Sequence, residues 1–358
     1  MRKSLVSILL AICFTVNAQQ EETKPSLSLN AYLEIYYGYD FNQPDNHTRP
    51  PFIYSHNRHN EFNLNLGFLK ASYQGSSVRA NLALMAGTYA NANLAAEPGV
   101  LKQIFEANAG VKLSKKKNLW LDAGIFASHI GFESAISKDC WNLTRSIMAD
   151  NSPYYESGAK LSYTSDNEKW FASLLLLNGW QKIQRQSGNS TPALGHQLTY
   201  KPNSKLTFNS SSFMGSDHPD SIRKMRYFHN LYGIYQINEK LAFTLGFDVG
   251  VEQKSKKSRA YNSWYTPVFM AQYRFNQKSA LAARTEYYQD AHGVIIPTQT
   301  PNGFRTWGFS LNYDRQINRF AVWRIEGRKF QSKDAIFEKG NQSKHASVFF
   351  TTSLALAF

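Results

Sequence analysis

Residues 241–251 constrain the fold more than any other stretch of the chain. Leu241, Phe243, Leu245, Phe247, Val249 and Val251 alternate with Ala242, Thr244, Gly246, Asp248 and Gly250. Only an extended strand, with its period of two, separates these two sets onto opposite faces. The run is also long. Ordinary strands average about five or six residues, whereas a tilted strand crossing a bilayer takes about 9–11.

The same pattern recurs along the chain, with strands predicted near 26–38, 62–73, 78–89, 102–113, 119–127, 154–163, 169–177, 194–202, 205–214, 225–236, 240–252, 262–275, 279–289, 304–315, 319–330 and 345–358. Between them, short polar turns at 74–77, 115–118, 165–168, 203–204, 237–239, 276–278 and 316–318 alternate strictly with longer connections. The longer ones run near 39–61, 90–101, 128–153, 178–193, 215–224, 253–261, 290–303 and 331–344. Such alternation is expected of an all-β, antiparallel up-and-down transmembrane barrel of about 16 strands, with both termini on the short-turn side and a water-filled lumen.

A soluble β-sandwich alternates too, but three features argue against it. The strands are long. Aromatics gather near strand ends (Tyr36, Tyr37, Tyr73, Trp120, Trp170, Tyr273 and Tyr313), as an interfacial girdle requires. The chain also closes on a strand in which Val348, Phe350, Thr352, Leu354, Leu356 and Phe358 share a face. That ending resembles the signal read by the outer-membrane barrel assembly machinery.

The N-terminus reads as an export signal. Arg2 and Lys3 precede an apolar core over residues 5–16, and Val16-Asn17-Ala18 supplies the small residue at which cleavage is expected, after Ala18. Ile12 before Cys13 argues against a lipid anchor. The predicted organisation is a signal at 1–18, a short periplasmic segment at 19–25 and a barrel at 26–358. Beyond residue 18 no stretch approaches the roughly 18 apolar residues of a spanning helix. Cys140 is then the one cysteine left, too few for a disulfide or a Cys-x-x-Cys metal site. The formal charge of +14 falls to +12 with the loss of Arg2 and Lys3. Export argues against nucleic acid as the partner of that charge and leaves anionic lipid, lipopolysaccharide phosphates or acidic solutes.

Residues 126–163 read FASHIGFESAISKDCWNLTRSIMADNSPYYESGAKLSY. The glycine-aromatic-Glu turn, the Trp-Asn-x-Thr-Arg-Ser stretch and the Ser-Pro-Tyr-Tyr-Glu-x-Gly approach to the next strand resemble the OmpL-like outer-membrane β-barrel porins. The resemblance extends over 27–358. It implies an outer-membrane pore for small hydrophilic solutes, brings no catalytic residues and no cofactor, and leaves a homotrimer open.

If the apolar sets face lipid, the opposite sets face the lumen. This assigns Glu34, Arg79, Glu106, Lys112, Asp122, Glu156, Lys160, Asp248, Glu252, Arg274, Arg284, Glu286, Arg324, Glu326 and Arg328 to the pore wall. Arg324, Glu326 and Arg328 alternate in charge on one face, as a transverse field across a pore or as pairing partners for Arg284 and Glu286. The connection 128–153 carries His129, Glu133, Lys138, Asp139, Arg145 and Asp150 beside Ile130, Phe132, Ile136, Trp141, Ile147 and Met148. So much apolar surface suits a loop folded into the lumen as a constriction; an extracellular cap is the other reading.

Other function classes find little support. No Gly-x-Ser-x-Gly elbow accompanies a nucleophile, although His129, Ser134 and Asp139 share one loop. The histidines lack paired metal-ligand spacing, and His56 and His59 read as loop residues. Only about seven residues separate the cleavage site from the first strand, too few for the plug of a large energised receptor. A closed barrel serving adhesion or structure remains the alternative.

Overall fold

The computed structural model describes residues 25–358; the predicted export signal and cleavage site lie outside them. Its strands are β1 (Ser26–Asp40), β2 (Glu61–Gln74), β3 (Val78–Ala86), β4 (Ile104–Lys112), β5 (Asn118–Ala127), β6 (Tyr155–Thr164), β7 (Trp170–Leu177), β8 (Ala193–Asn203), β9 (Leu206–Gly215), β10 (Arg226–Gln236), β11 (Leu241–Gln253), β12 (Tyr261–Asn276), β13 (Ser279–Asp290), β14 (Phe304–Gln316), β15 (Ala321–Ser332), β16 (Phe337–Lys339), β17 (Gln342–Lys344) and β18 (Ala346–Ala357). All but the β16–β17 hairpin join one closed antiparallel barrel of 16 strands. Each strand pairs with its sequence neighbours, and β1 closes on β18 from Tyr32↔Ala357 to Asp40↔Phe349. Phe358 seals the lower end of that seam, its N–H donating to the Ala31 carbonyl at 2.9 Å and its carbonyl accepting from Ala31 N–H at 3.2 Å. Closure satisfies every ladder, which hydrocarbon demands because an unpaired backbone group there costs several kcal/mol.

The two faces separate as the period requires. On β11, Leu245 and Phe247 are 62% and 40% exposed to the lipid side, while Ala242, Thr244 and Asp248 are buried inside. Two girdle assignments are corrected. Tyr36 and Trp120 face inward and are buried. Tyr36 accepts from Arg58 N–H at 3.0 Å, and Trp120 lies under the Arg79 guanidinium. Tyr36 and Tyr37 are adjacent, so only one of them can reach the interface.

Two local departures from simple alternation shape the interior. Between β1 and β2 the register shifts at Glu34/Ile35, which leaves Asn65 as an extra residue. This bulge turns the Asn65 amide inward, where it donates to Glu34 at 2.9 Å and accepts from His56 N–H at 2.9 Å. The strand predicted over 78–89 ends at Ala86 instead, because Thr88–Asn93 forms a short helix. Tyr89, Ala90 and Leu94 pack there with Met85 and Tyr154, and this apolar contact overrides the strand pattern.

The loop inside the barrel

The connection between β5 and β6 turns inward, and its polar and apolar residues are held by different parts of the wall. His129 starts the descent. Its ring bridges Glu156 on β6 at 2.7 Å and the Ser212 carbonyl on β9 at 2.8 Å. It passes directly over Gly195, where a Cβ would stand 2.8 Å from the ring nitrogen. Gly131 N–H then donates to Asn230, and Phe132 enters a slot over Gly246. A Cβ at Gly246 would lie 2.4 Å from the Phe132 ring. Gly246→Val is therefore expected to cost the inner loop about 1–3 kcal/mol of docking energy through overpacking. Limited proteolysis within residues 128–154 checks this, as the strands themselves should stay resistant.

From Phe132 the loop continues down the wall of β12–β15. Arg324 donates to the carbonyls of Ser137, Cys140 (2.9 Å) and Trp141 (3.1 Å) while pairing with Asp314 at 2.7 Å. One step higher, Glu326 accepts from Thr144 N–H at 2.6 Å and Thr144 Oγ1 at 2.9 Å. A further step up, Arg328 donates to the Arg145 carbonyl at 2.7 Å. Glu286 accepts from Ile147 N–H at 2.6 Å, and Arg284 donates to the Thr144 carbonyl at 2.7 Å. The alternating ladder on β15 is thus a rack that holds successive backbone groups of the loop. Charge balance comes from Glu133, Glu286 and Glu326 around Arg284, at 3.5, 3.3 and 3.2 Å. Across β18 from the rack, on β1, Glu34 contacts Ser137 and also lies 3.2 Å from His56. At its lowest point the loop reaches the short turns, with Lys138 and Asp139 paired at 2.6 Å and largely exposed. It therefore spans nearly the full height of the barrel.

The sequence-assigned wall residues all face inward, but they divide in two. Glu34, Asp122, Glu156, Asp248, Arg284, Glu286, Arg324, Glu326 and Arg328 are buried, most of them against the loop. Arg79, Glu106, Lys112 and Lys160 are half-buried along β3–β6, and Arg274 is exposed near the turns. Lys70, which sequence reasoning did not single out, pairs with Glu106. Arg79 pairs with Asp122, Arg226 with Glu252, and Lys160 sits over the Phe126 ring at 4.7 Å. The loop residues His129, Glu133, Arg145 and Asp150 are buried, while His129, Ser134 and Asp139 each take different partners. The extracellular mouth holds an apolar core. Phe52, from the 41–60 connection, meets Phe304 at 4.7 Å and Phe330 at 5.5 Å, with Ile147, Trp264 and Phe349 packed around them.

Asp150, on the loop and outside the spanning strands, is buried with the hydroxyls of Ser55 (3.3 Å) and Tyr154 (3.1 Å) as its hydrogen-bond partners. Burial pushes its carboxyl up from 3.8 to about 7, against the pull of Arg328 and Arg145. The folded state thus favours the neutral acid. Its contribution to docking is fully present below the ordinary carboxylate pKa and is lost as pH rises through about 7. Amide exchange over Ile147–Asp150, corrected for intrinsic rates, should be slower at about pH 5 than at about pH 8, and Asp150→Asn should flatten the difference.

Solved structures with the same fold include the anion-selective porin from Comamonas acidovorans, at 10% identity and a TM-score of 0.62, covering 94% of this chain and 100% of that one. The trimer form of OmpT from Vibrio cholerae is 9% identical with a TM-score of 0.60, covering 93% and 99%. OprB from Pseudomonas putida is 8% identical with a TM-score of 0.57, covering 93% and 94%. No curated protein sequence matches this chain significantly. The family model described as "Putative beta-barrel porin-2, OmpL-like" matches residues 26–358, and the chain belongs to that family of outer-membrane barrels.

Proposed function

We propose that the protein is an outer-membrane channel for passive diffusion of small hydrophilic solutes, with the inner loop setting its aperture. The supporting observation is the half-buried polar wall of β2–β6: Lys70, Arg79, Asn81, Glu106, Asn108 and Lys160 face inward beside the loop. Charged groups on such a wall call for water, since hydrocarbon or a dry core would leave them poorly solvated. Cleavage after Ala18, assembly through Phe358, contact with lipopolysaccharide and a homotrimeric state belong to the same proposal; light scattering in detergent tests the last.

A second reading rests on the aromatic core in the mouth, which favours a closed barrel that presents its long loops for adhesion. Swelling of liposomes containing the refolded chain, residues 19–358, separates the two. The channel reading expects arabinose to enter and raffinose to enter more slowly. Exclusion of both sugars by well-folded protein favours the closed barrel.

A further inference from the structure

Beneath the lowest point of the inner loop, at the mouth ringed by short turns, lies a cavity of about 580 Å³. Its roof is the segment from Lys138 to Trp141, and its wall includes Arg274 and Arg324. The two adjacent turns after β12 and β14 add Lys278 and Arg319. Five cationic side chains and two carboxylates line it. Both carboxylates are already engaged, Asp139 by Lys138 at 2.6 Å and Asp314 by Arg324 at 2.7 Å. Arg274, Lys278 and Arg319 form no ion pair among the described residues. Arg274 Nε donates to the neutral Gln272 amide at 3.1 Å, and Arg319 lies over the Phe320 ring at 4.4 Å.

We propose that this cavity is a binding site for small soluble polyanions, solutes that carry two or more carboxylate or phosphate charges. Three cations without a carboxylate partner, on β12, its following turn and the turn after β14, line one cavity and suit a ligand with several negative groups better than a single chloride. The low-dielectric barrel wall behind them focuses their field into the cavity. Its strand lining, including Gln272, Arg274, Asp314 and Arg324, comes from inward-facing positions of β12–β15, so the cavity opens toward the lumen and the short-turn side and away from the lipid. The volume is sufficient for a molecule such as citrate, with Trp141 at the roof offering an apolar surface to its carbon skeleton.

Binding needs no conduction, so the test is independent of whether the barrel passes solutes. Residues 19–358, refolded in a neutral detergent, are titrated with citrate by calorimetry at neutral pH and low ionic strength. Saturable binding at one site is expected, and it should weaken as salt is added. Arg274→Gln with Lys278→Gln should weaken it about tenfold or more. Lys254→Gln with Lys256→Gln removes the same charge from the opposite end of the barrel and should leave the affinity unchanged. If the Arg274 pair does not fold, Lys278→Gln alone, an exposed turn substitution, should weaken binding about threefold. Absence of saturable citrate binding would overturn the proposal. Equal weakening by both double variants would overturn it as well, because net charge and not this cavity would then account for the binding.

Discussion

Replacement of residues 134–147 by a short Gly-Ser linker should raise single-channel conductance several-fold. The excised stretch includes Ser137, Cys140, Thr144 and Arg145, which supply nearly all the backbone groups held by Arg324, Glu326 and Arg328. Without it the sixteen-stranded wall loses the filling held by the rack and keeps that of the 41–60 connection, such as Arg49 beside Thr351, and barrels of that size enclose an aqueous channel. The strand ladders stay intact, since none of the excised residues lies in a strand. Arg284, Glu286, Glu326 and Arg328 would then be hydrated, and their paired charges would line the widened pore. Planar-bilayer recording of the folded variant provides the check. Conductance equal to that of the parent would mean that the loop does not limit flow.

Glu326→Ala should be the most damaging single substitution in the rack. The carboxylate is 1% exposed and accepts from Thr144 N–H, Thr144 Oγ1 and Arg284, the last at 3.2 Å. Removing one member of a buried, hydrogen-bonded ion group typically costs about 3–5 kcal/mol, because the remaining charge is left without its partner. Here Arg284 would still have Glu286 and Glu133, while the Thr144 N–H would lose its acceptor. The loss should fall on loop docking more than on barrel closure, since the β14–β15 and β15–β18 ladders are untouched. Urea unfolding in vesicles measures the total cost, and exchange at the Thr144 amide reports the release directly. Pairing with Thr144→Val should give a less than additive loss, as both remove one shared contact. A cost below about 0.5 kcal/mol would show that the rack does not hold the loop.

Much of this architecture is legible in the sequence, for local reasons. Alternation and turn chemistry are properties of neighbouring residues, so the faces of β11 and the order of turns and loops follow directly. The inward direction of Arg324, Glu326 and Arg328 follows from the same period. What holds them does not, because the carbonyls of Cys140 and Trp141 lie more than 180 residues away along the chain. The apolar residues of the inner loop gave a usable signal, and Phe132, Ile147 and Met148 do pack on the wall or the mouth core. No comparable signal marked the 41–60 connection, where Phe52 and Ile53 enter the mouth from a segment rich in Pro, His and Asn. The bulge at Asn65 was also hidden, since one extra residue inside a strand leaves the alternation on each side looking intact.

The most direct test of the central claim is single-channel recording of the refolded chain, residues 19–358, with reversal potentials taken in a salt gradient. A porin-family barrel whose inner loop spans the lumen should give discrete steps, several-fold smaller than those of the loop-deleted form. Silence from well-folded protein would contradict the channel, and steps as large as those of the deleted form would contradict the role of the loop.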